Sequence, residues 1–365
     1  MPLPRDPVDW GVAEKVAVRV GRRSSPELDP GTIARLQSDF AELTPVAESL
    51  VSETTGLESL EGSARAEVTD RAGWVRANIR SFRRLIGPLL ERAGSDRRLS
   101  RSLPEPLAMG ARAAAGAELG AVLGWMSTRV LGQYDLLFTE DAGNEGDVVY
   151  YVGPNVVSLE RRHGFPPSEF RLWIAIHELT HRAQFTGVPW MRAHFLGLVD
   201  KGVMIAAPDP KDLLVSLRRA ATEVRSGRNP LAESGLIGAL ATPEQLTTLH
   251  AIQALMSLLE GHGDVTMNRA ASDAIPGAKR FADTLQARRD SASGVAKFVQ
   301  QLLGLEAKLR QYQEGERFVE AVEVAGGNGL LSRVWEGPER LPSLEEVRNP
   351  ARWIDRVGGL SLELA

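Results

Sequence analysis

The chain has 365 residues, a formal net charge of −4 at pH 7 and no cysteine. Because its net charge is slightly negative, the chain lacks the positive electrostatic potential that general nucleic-acid binding requires. The missing cysteines exclude both a disulfide framework and thiolate metal ligands. The hydrophobic share of 43% and the charged share of 25% are ordinary for a globular protein.

The sequence does not predict a secreted or membrane-bound protein. The first 18 residues lack the long apolar core and the cleavage pattern of a signal peptide. An apolar stretch from Pro106 to Gly132 is interrupted by Arg112, Glu118 and Arg129, which makes it unsuitable as a membrane span. We therefore expect a cytoplasmic protein with no membrane partner and no nucleic-acid partner.

Helical patterns dominate the first third of the chain. Helices are predicted over Pro30–Leu60, with breaks at Pro45 and Gly56, and over Ser63–Ala93. The length corresponds to about two domains by the usual prior. We predict an N-terminal helical region at 1–100 and a second region at 101–365, either separate or joined in one continuous domain.

A third predicted helix, Leu107–Val130, contains glycines at regular spacing. Gly116, Gly120 and Gly124 are one helical turn apart and therefore share a face. In a soluble protein this spacing indicates that another helix packs very close to that face. Residues 135–147 are then predicted to form a loop.

The clearest strand pattern of the chain follows this loop, at Val148–Val152. It is rich in β-branched and aromatic residues. We considered two roles for this strand. It is either an edge strand that aligns a peptide substrate by backbone pairing or one arm of a short two-stranded hairpin.

The most informative motif is His177-Glu178-Leu179-Thr180-His181, which has the form H-E-x-x-H of zinc metallohydrolases. It lies within Ser168–Phe185, a strongly helical segment. Histidines four residues apart lie on one face of a helix and can share one metal ion. Glu178 beside them is placed to act as the general base that takes a proton from a metal-activated water. The alternative is that both histidines are ordinary core residues bonded to the backbone.

A catalytic zinc site needs a third protein ligand and an open position for water. The extended metzincin motif would require a glycine and a further histidine at the positions that Gln184 and Gly187 occupy, so it is excluded. A glutamate on a second helix is another common solution. We therefore searched for an acidic residue on an apolar helical face.

The best second helix runs from about Pro243 to Asn268. Glu260 falls on its apolar stripe, where a carboxylate is costly unless it is paired or bound to metal. Asp264, one turn later, is predicted to orient a ligand histidine by accepting a hydrogen bond from its other ring nitrogen. The alternative is that the helix ends at Gly261 and that both acidic groups are solvated. The apolar stripe consists of Leu249, Ile252, Met256 and Leu259.

Two glycines, Gly261 and Gly263, flank His262 and indicate that another backbone or helix comes very close. Three roles stay open for His262: a substrate-facing electrophile, an alternative ligand or a surface residue. His262 and Tyr312 are candidates for stabilising the oxyanion, as is Tyr134, although Tyr312 also suits an ordinary packing role. Further helices are predicted over Asp209–Gly227 and Phe281–Gln313, with a loop at Gly326–Gly329.

Several blocks of this sequence resemble the bacterial zincin-like metallopeptidases, some of which are described as associated with biosynthesis of the deazaflavin coenzyme. The resemblance covers most of the chain. It implies a mainly α fold with a minimal sheet, His177 and His181 as ligands, Glu178 as general base and Glu260 as third ligand. The separation of Glu260 from His181 is much longer than in the thermolysin-like pattern. The similar blocks are Val148–Phe185, Gly116–Asp135 (ending in VLGQYD), LLEGHGD, and the tail with Trp335, Pro342 and Arg352-Trp353-Ile354.

The predicted function is that of a Zn²⁺-dependent hydrolase, a metallopeptidase that acts on a peptide or protein substrate. Two other classes were weighed against it. One is a degenerate zincin that binds metal but serves as a binding or assembly module. The other is a helical protein with no metal.

Overall fold

A computed structural model describes residues 8–22, 28–94, 105–136, 147–205, 243–290 and 305–359. Within these ranges the protein is mainly helical with a small three-stranded sheet, which confirms the predicted fold class. None of the helices in the described ranges is both long enough and apolar enough to cross a bilayer.

The elements follow one another in a simple order. The helices before residue 206 are α1 (Trp10–Arg22), α2 (Pro30–Thr55), α3 (Arg71–Gly94), α4 (Glu105–Ser127), α5 (Gly153–His163), α6 (Pro167–Thr186) and α7 (Met191–Ile205). The later ones are α8 (Pro243–Ala274), α9 (Ala278–Asp290), α10 (Leu305–Leu331), α11 (Leu344–Arg348) and α12 (Pro350–Gly358). Short 3₁₀ turns span Ser332–Trp335 and Pro338–Arg340. The strands are β1 (Arg65–Thr69), β2 (Gly132–Tyr134) and β3 (Val148–Val152).

The chain forms two compact units. The first contains Met1–Val51, Ser59–Arg182 and Ala274–Ala278, and the second contains Ser52–Glu58, Ala183–Asp273 and Lys279–Ala365.

The sheet belongs to the first unit, and its strand order is β1-β3-β2. β3 pairs in parallel with β1 and antiparallel with β2, and all of its residues are buried. The strand at Val148–Val152 is confirmed, but its role as an edge strand is wrong because it is the central strand. The alternative of a short hairpin is correct for β2 and β3, which pair antiparallel, and β1 adds a third strand. The prediction of a helix from Ser63 is also wrong at its start. The short run Arg65–Thr69 has few local strand signals and takes its structure from pairing with β3.

Helices α1 and α4 pack with their backbones in close contact in the first unit. A methyl group at Gly116 would overlap the backbone of Asp9, directly before α1, and one at Gly120 or Gly124 would overlap the α1 backbone at Ala13 or Ala17, respectively. The prediction of close helix packing on this glycine face is therefore confirmed. The α1 residues on this side are themselves small and buried, at Ala13, Ala17 and Gly21.

Of the breaks considered for α2 and α8, the structure has only the one at Gly56. α2 continues through Pro45, since a single proline removes one backbone donor while its fixed φ remains helical. The predicted break at Gly56 is confirmed, because α2 ends at Thr55 and the φ of 71° at Gly56 lies in the left-handed region. α8 runs past Gly261 to Ala274, so the alternative in which Gly261 ended that helix is wrong.

The second unit is built around an apolar cluster between α8, α10 and the C-terminal helices. Phe318 and Trp353 are fully buried there, and their rings meet edge to face at 5.5 Å. The loop predicted at Gly326–Gly329 is a kink inside α10, with Gly327 at a φ of 66°. Of the other predictions, Asp209–Gly227, residues 137–146 of the loop and residues 291–304 of the helix Phe281–Gln313 lie outside the described residues.

Candidate metal centre

The H-E-x-x-H motif lies in the middle of α6, whose bounds agree with the predicted Ser168–Phe185 within one residue at each end. Large apolar side chains surround the motif and are buried, which anchors the helix firmly. After the last turn the chain leaves at Gly187, where a side chain would collide with the carbonyl oxygen of Glu58. The buried apolar residues are Trp173, Ile174, Ile176 and Leu179.

His177 and His181 point their imidazole nitrogens at the same place. Their Nε2 atoms are 3.2 Å apart, and their rings meet nearly at right angles, at 84°. Two nitrogens bound to one tetrahedral zinc ion at about 2.0–2.1 Å would be separated by about 3.3 Å. The spacing of the two nitrogens thus fits a shared zinc ion.

Glu260 of α8 completes a group of three. One carboxylate oxygen of Glu260 and one nitrogen from each of His177 and His181 all lie within 4.8 Å of one another, and all three residues are half-buried. Two imidazoles and one carboxylate form a donor set that is found in catalytic zinc sites with an open fourth position. The residues present therefore fit a zinc ion, and they are the three that sequence reasoning selected.

Glu178 is buried, with 7% of its surface exposed, and its side chain lies against the edge strand β2. A Cβ atom at Gly132 would lie 2.6 Å from Glu178 Cγ and 2.8 Å from its Oε1. Only glycine leaves room for the carboxylate at this point of the strand. Sequence reasoning missed Gly132, although a glycine inside a short strand is a known sign of a close approach.

The negative charge of Glu178 affects the pKa of Tyr151 on the central strand β3. Burial raises the pKa of Tyr151 well above its usual value, and the charges of Glu178 and Glu48 add to this shift. Tyr151 stacks on Phe40 at 3.7 Å between ring centroids. The Tyr151 phenol therefore loses its proton less readily than an ordinary tyrosine.

Arg182, directly after His181, anchors helix α6 to other parts of the first unit. It is 1% exposed and forms ion pairs with Asp147 and Glu48, and it also donates to the carbonyl oxygen of Gly62. Its Nε lies 2.6 Å from Asp147 Oδ2. Sequence reasoning missed this residue because its partners are far away along the chain.

The remaining predicted residues have different positions. Asp264 is half-buried on α8, one turn after Glu260, and its bond to a ligand histidine stays a prediction. His262 is 4% exposed, so the alternative of a surface residue is wrong. Its ring lies edge-on to Trp335 at 5.1 Å. Tyr134 is buried on β2, and the side chain of Tyr312 lies outside the described residues.

The chain is similar to known proteins along nearly its whole length. The sequence model of the zincin-like metallopeptidase family matches residues 8–354. A crystal structure from Chloroflexus aurantiacus, described as a candidate hydrolase with a novel fold, is 32% identical and has a TM-score of 0.69. The similarity covers 96% of this chain and 98% of that one. A search of curated proteins found no match. The chain thus belongs to the family of zincin-like metallopeptidases.

Proposed function

We propose that this protein is a zinc-dependent hydrolase that cleaves peptide bonds in a peptide or protein substrate. The observation that carries the proposal is the convergence of His177, His181 and Glu260 beside the buried carboxylate of Glu178. A link to biosynthesis of the deazaflavin coenzyme stays a prediction from the resemblance.

His177 and His181 would hold the metal through Nε2, and Glu260 through one carboxylate oxygen. When bound, zinc supplies a Lewis acid that makes water nucleophilic near neutral pH and polarises the scissile carbonyl group. Glu178 takes a proton from the attacking water and delivers it to the nitrogen of the leaving amine. The absence of a side chain at Gly132 leaves room for this carboxylate.

An intact base favours catalysis over a binding or assembly module. A module of that kind needs the three metal ligands for its structure, but it has no use for a buried carboxylate next to them.

The substitution Glu178→Gln tests the proposal. The amide has nearly the same shape but cannot accept a proton, so we expect full zinc content and at least about a 100-fold loss of turnover. Zinc is measured by elemental analysis, and cleavage of a peptide library is measured by mass spectrometry.

Glu169→Gln is the matched control. Glu169 lies in the first turn of the same helix and accepts a hydrogen bond from the Gly277 backbone, which an amide oxygen also can do. Wild-type turnover is expected for this variant. If Glu178→Gln keeps wild-type turnover, the general-base role is wrong. If wild-type protein holds zinc but cleaves no peptide, the binding-module alternative is correct.

A further inference from the structure

Gln184 lies on α6 three residues beyond His181 and is completely buried. Its side-chain nitrogen donates to the carbonyl oxygen of Leu259 at 3.0 Å and lies 3.0 Å from Nδ1 of His262. Because a carbonyl oxygen can only accept, the atom of Gln184 that faces it must be the amide nitrogen. The same nitrogen then donates to His262, so the proton of a neutral His262 ring is on Nε2.

Leu259 is the residue directly before Glu260. Its side chain is 1% exposed and belongs to the apolar cluster around Met191 and Leu255. The bond from Gln184 therefore ties α6 to the main chain of α8 immediately before the third ligand.

The residue directly after Glu260 is held in a different way. Gly261 lies against the backbone of α10, where an added methyl group would overlap the carbonyl carbon of Gly315. An added methyl group at Gly315 would overlap the carbonyl oxygen of Ser257. The main chain of α8 is thus fixed on both sides of Glu260, by Gln184 and by α10.

We propose that Gln184 is a positioning residue for the third metal ligand. It does not bind the metal, but its two hydrogen bonds hold Leu259 and His262, on either side of Glu260, and thereby set the position of the Glu260 carboxylate. This inference rests on the metal site of the proposed function. Partners of this outer kind typically change metal affinity or activity by about 10–100-fold.

The test compares Gln184→Met with wild type. Methionine has a similar length and remains compatible with burial, but it donates no hydrogen bond. The metal-free proteins are titrated with Zn²⁺ in competition with a chromophoric chelator, and the visible spectrum of the Co²⁺-loaded proteins is recorded. We expect Zn²⁺ to bind about 10–100-fold more weakly and the cobalt bands to change, because the carboxylate ligand is displaced.

Ser257→Ala is the matched control on α8. The Ser257 hydroxyl is buried and donates only within its own helix, to Gln253 at 2.9 Å. Its loss should leave the zinc affinity and the cobalt spectrum unchanged. Circular dichroism of the metal-free proteins shows whether each variant folds. Gln184→Asn, which keeps the amide but is one methylene shorter, replaces Gln184→Met in the comparison if the latter does not fold.

A variant of Gln184 with wild-type zinc affinity and a wild-type cobalt spectrum overturns the inference. Wild-type protein that binds no zinc overturns both this inference and the proposed function. Wild-type protein that binds zinc without cleaving peptides overturns only the proposed catalysis, because the affinity comparison still decides the role of Gln184.

Discussion

At the scale of single residues, Glu260 is a half-buried carboxylate on an apolar face of α8. Leu258 and Leu259 beside it are buried, so its charge is costly unless a partner offsets it. One nitrogen of each of His177 and His181 lies within 4.8 Å of a carboxylate oxygen of Glu260. A divalent cation bound there would offset the charge of Glu260 and let all three ligand atoms face one point.

The first prediction separates the third ligand from its neighbour one turn later. Glu260→Ala should weaken zinc binding far more than Asp264→Ala, since it removes a donor atom. Asp264→Ala should still have an effect of about 10–100-fold if it orients a ligand histidine. Competition titration measures both affinities. A metal-bound structure with His262 or another carboxylate in the third position would refute this assignment.

The second prediction concerns the space that Gly132 leaves for Glu178. An alanine there would push the carboxylate aside, because its Cβ would lie 2.6 Å from Glu178 Cγ. A misplacement of about 1 Å can cost about 100-fold in rate, so we expect turnover of Gly132→Ala to fall by this order while zinc content stays normal. Kinetics and elemental analysis measure the two quantities.

A double-variant cycle provides the control for Gly132. If Gly132 acts through Glu178, the combination of Gly132→Ala with Glu178→Gln should be no slower than Glu178→Gln alone. Additive losses of activity would show that the glycine has another role.

At the scale of elements, α1 and α4 pack through small residues rather than through interlocking large side chains. Glycines of α4 lie directly on the backbone of α1, which brings the two helix axes close together. Large side chains at the edges of this contact, Trp10, Trp74 and Leu123, fill the surrounding core.

The third prediction compares two glycines of α4. Gly120→Ala should lower the free energy of unfolding by about 1–3 kcal/mol, because the methyl group overlaps the backbone at Ala13. Gly110 is exposed on the same helix, with no atom within 4 Å of an added methyl group. Gly110→Ala should therefore raise the free energy of unfolding by about 0.5–1 kcal/mol. Urea denaturation of both variants checks the opposite signs, and equal shifts would contradict the packing argument.

At the scale of the whole molecule, each unit has a hydrophobic core of its own, one around Trp74 and one around Trp353. Neither unit is a continuous stretch of sequence. The chain passes from one unit to the other after Val51, Glu58, Arg182, Asp273 and Ala278.

The fourth prediction concerns the stability of the whole protein. A metal that binds the native state alone stabilises it by about 2.7 kcal/mol at a free concentration of 100 times its Kd. Added Zn²⁺ should thus raise the unfolding temperature, and a chelator should reverse the shift. His177→Ala and His181→Ala should abolish it, whereas His250→Ala, outside the metal group, should keep it. Differential scanning calorimetry measures the shift, and a full shift in both ligand variants would disprove the assignment.

Short-range spacing along the chain was enough to predict several features of the fold and of the candidate site. The helix around His177 and His181, the shared face of Gly116, Gly120 and Gly124, and the strand at Val148–Val152 all follow from local periodicity. Glu178, His177 and His181 could be predicted as site residues because the two histidines are one helical turn apart and Glu178 is adjacent to the first. Glu260 could be chosen because a carboxylate stands out on an apolar stripe.

Features that depend on pairs of residues far apart in the chain could not be predicted in this way. Strand β1 forms because β3 pairs with it. Strand β2 is at the other edge of the sheet, and Glu178 lies against it at Gly132. Arg182 donates a hydrogen bond to Glu48, which is 134 residues away along the chain. Gln184 donates one to the carbonyl oxygen of Leu259, which is 75 residues away. No local pattern encodes such pairs, since the partners meet only when the helices pack and the buried polar groups must find hydrogen-bond partners.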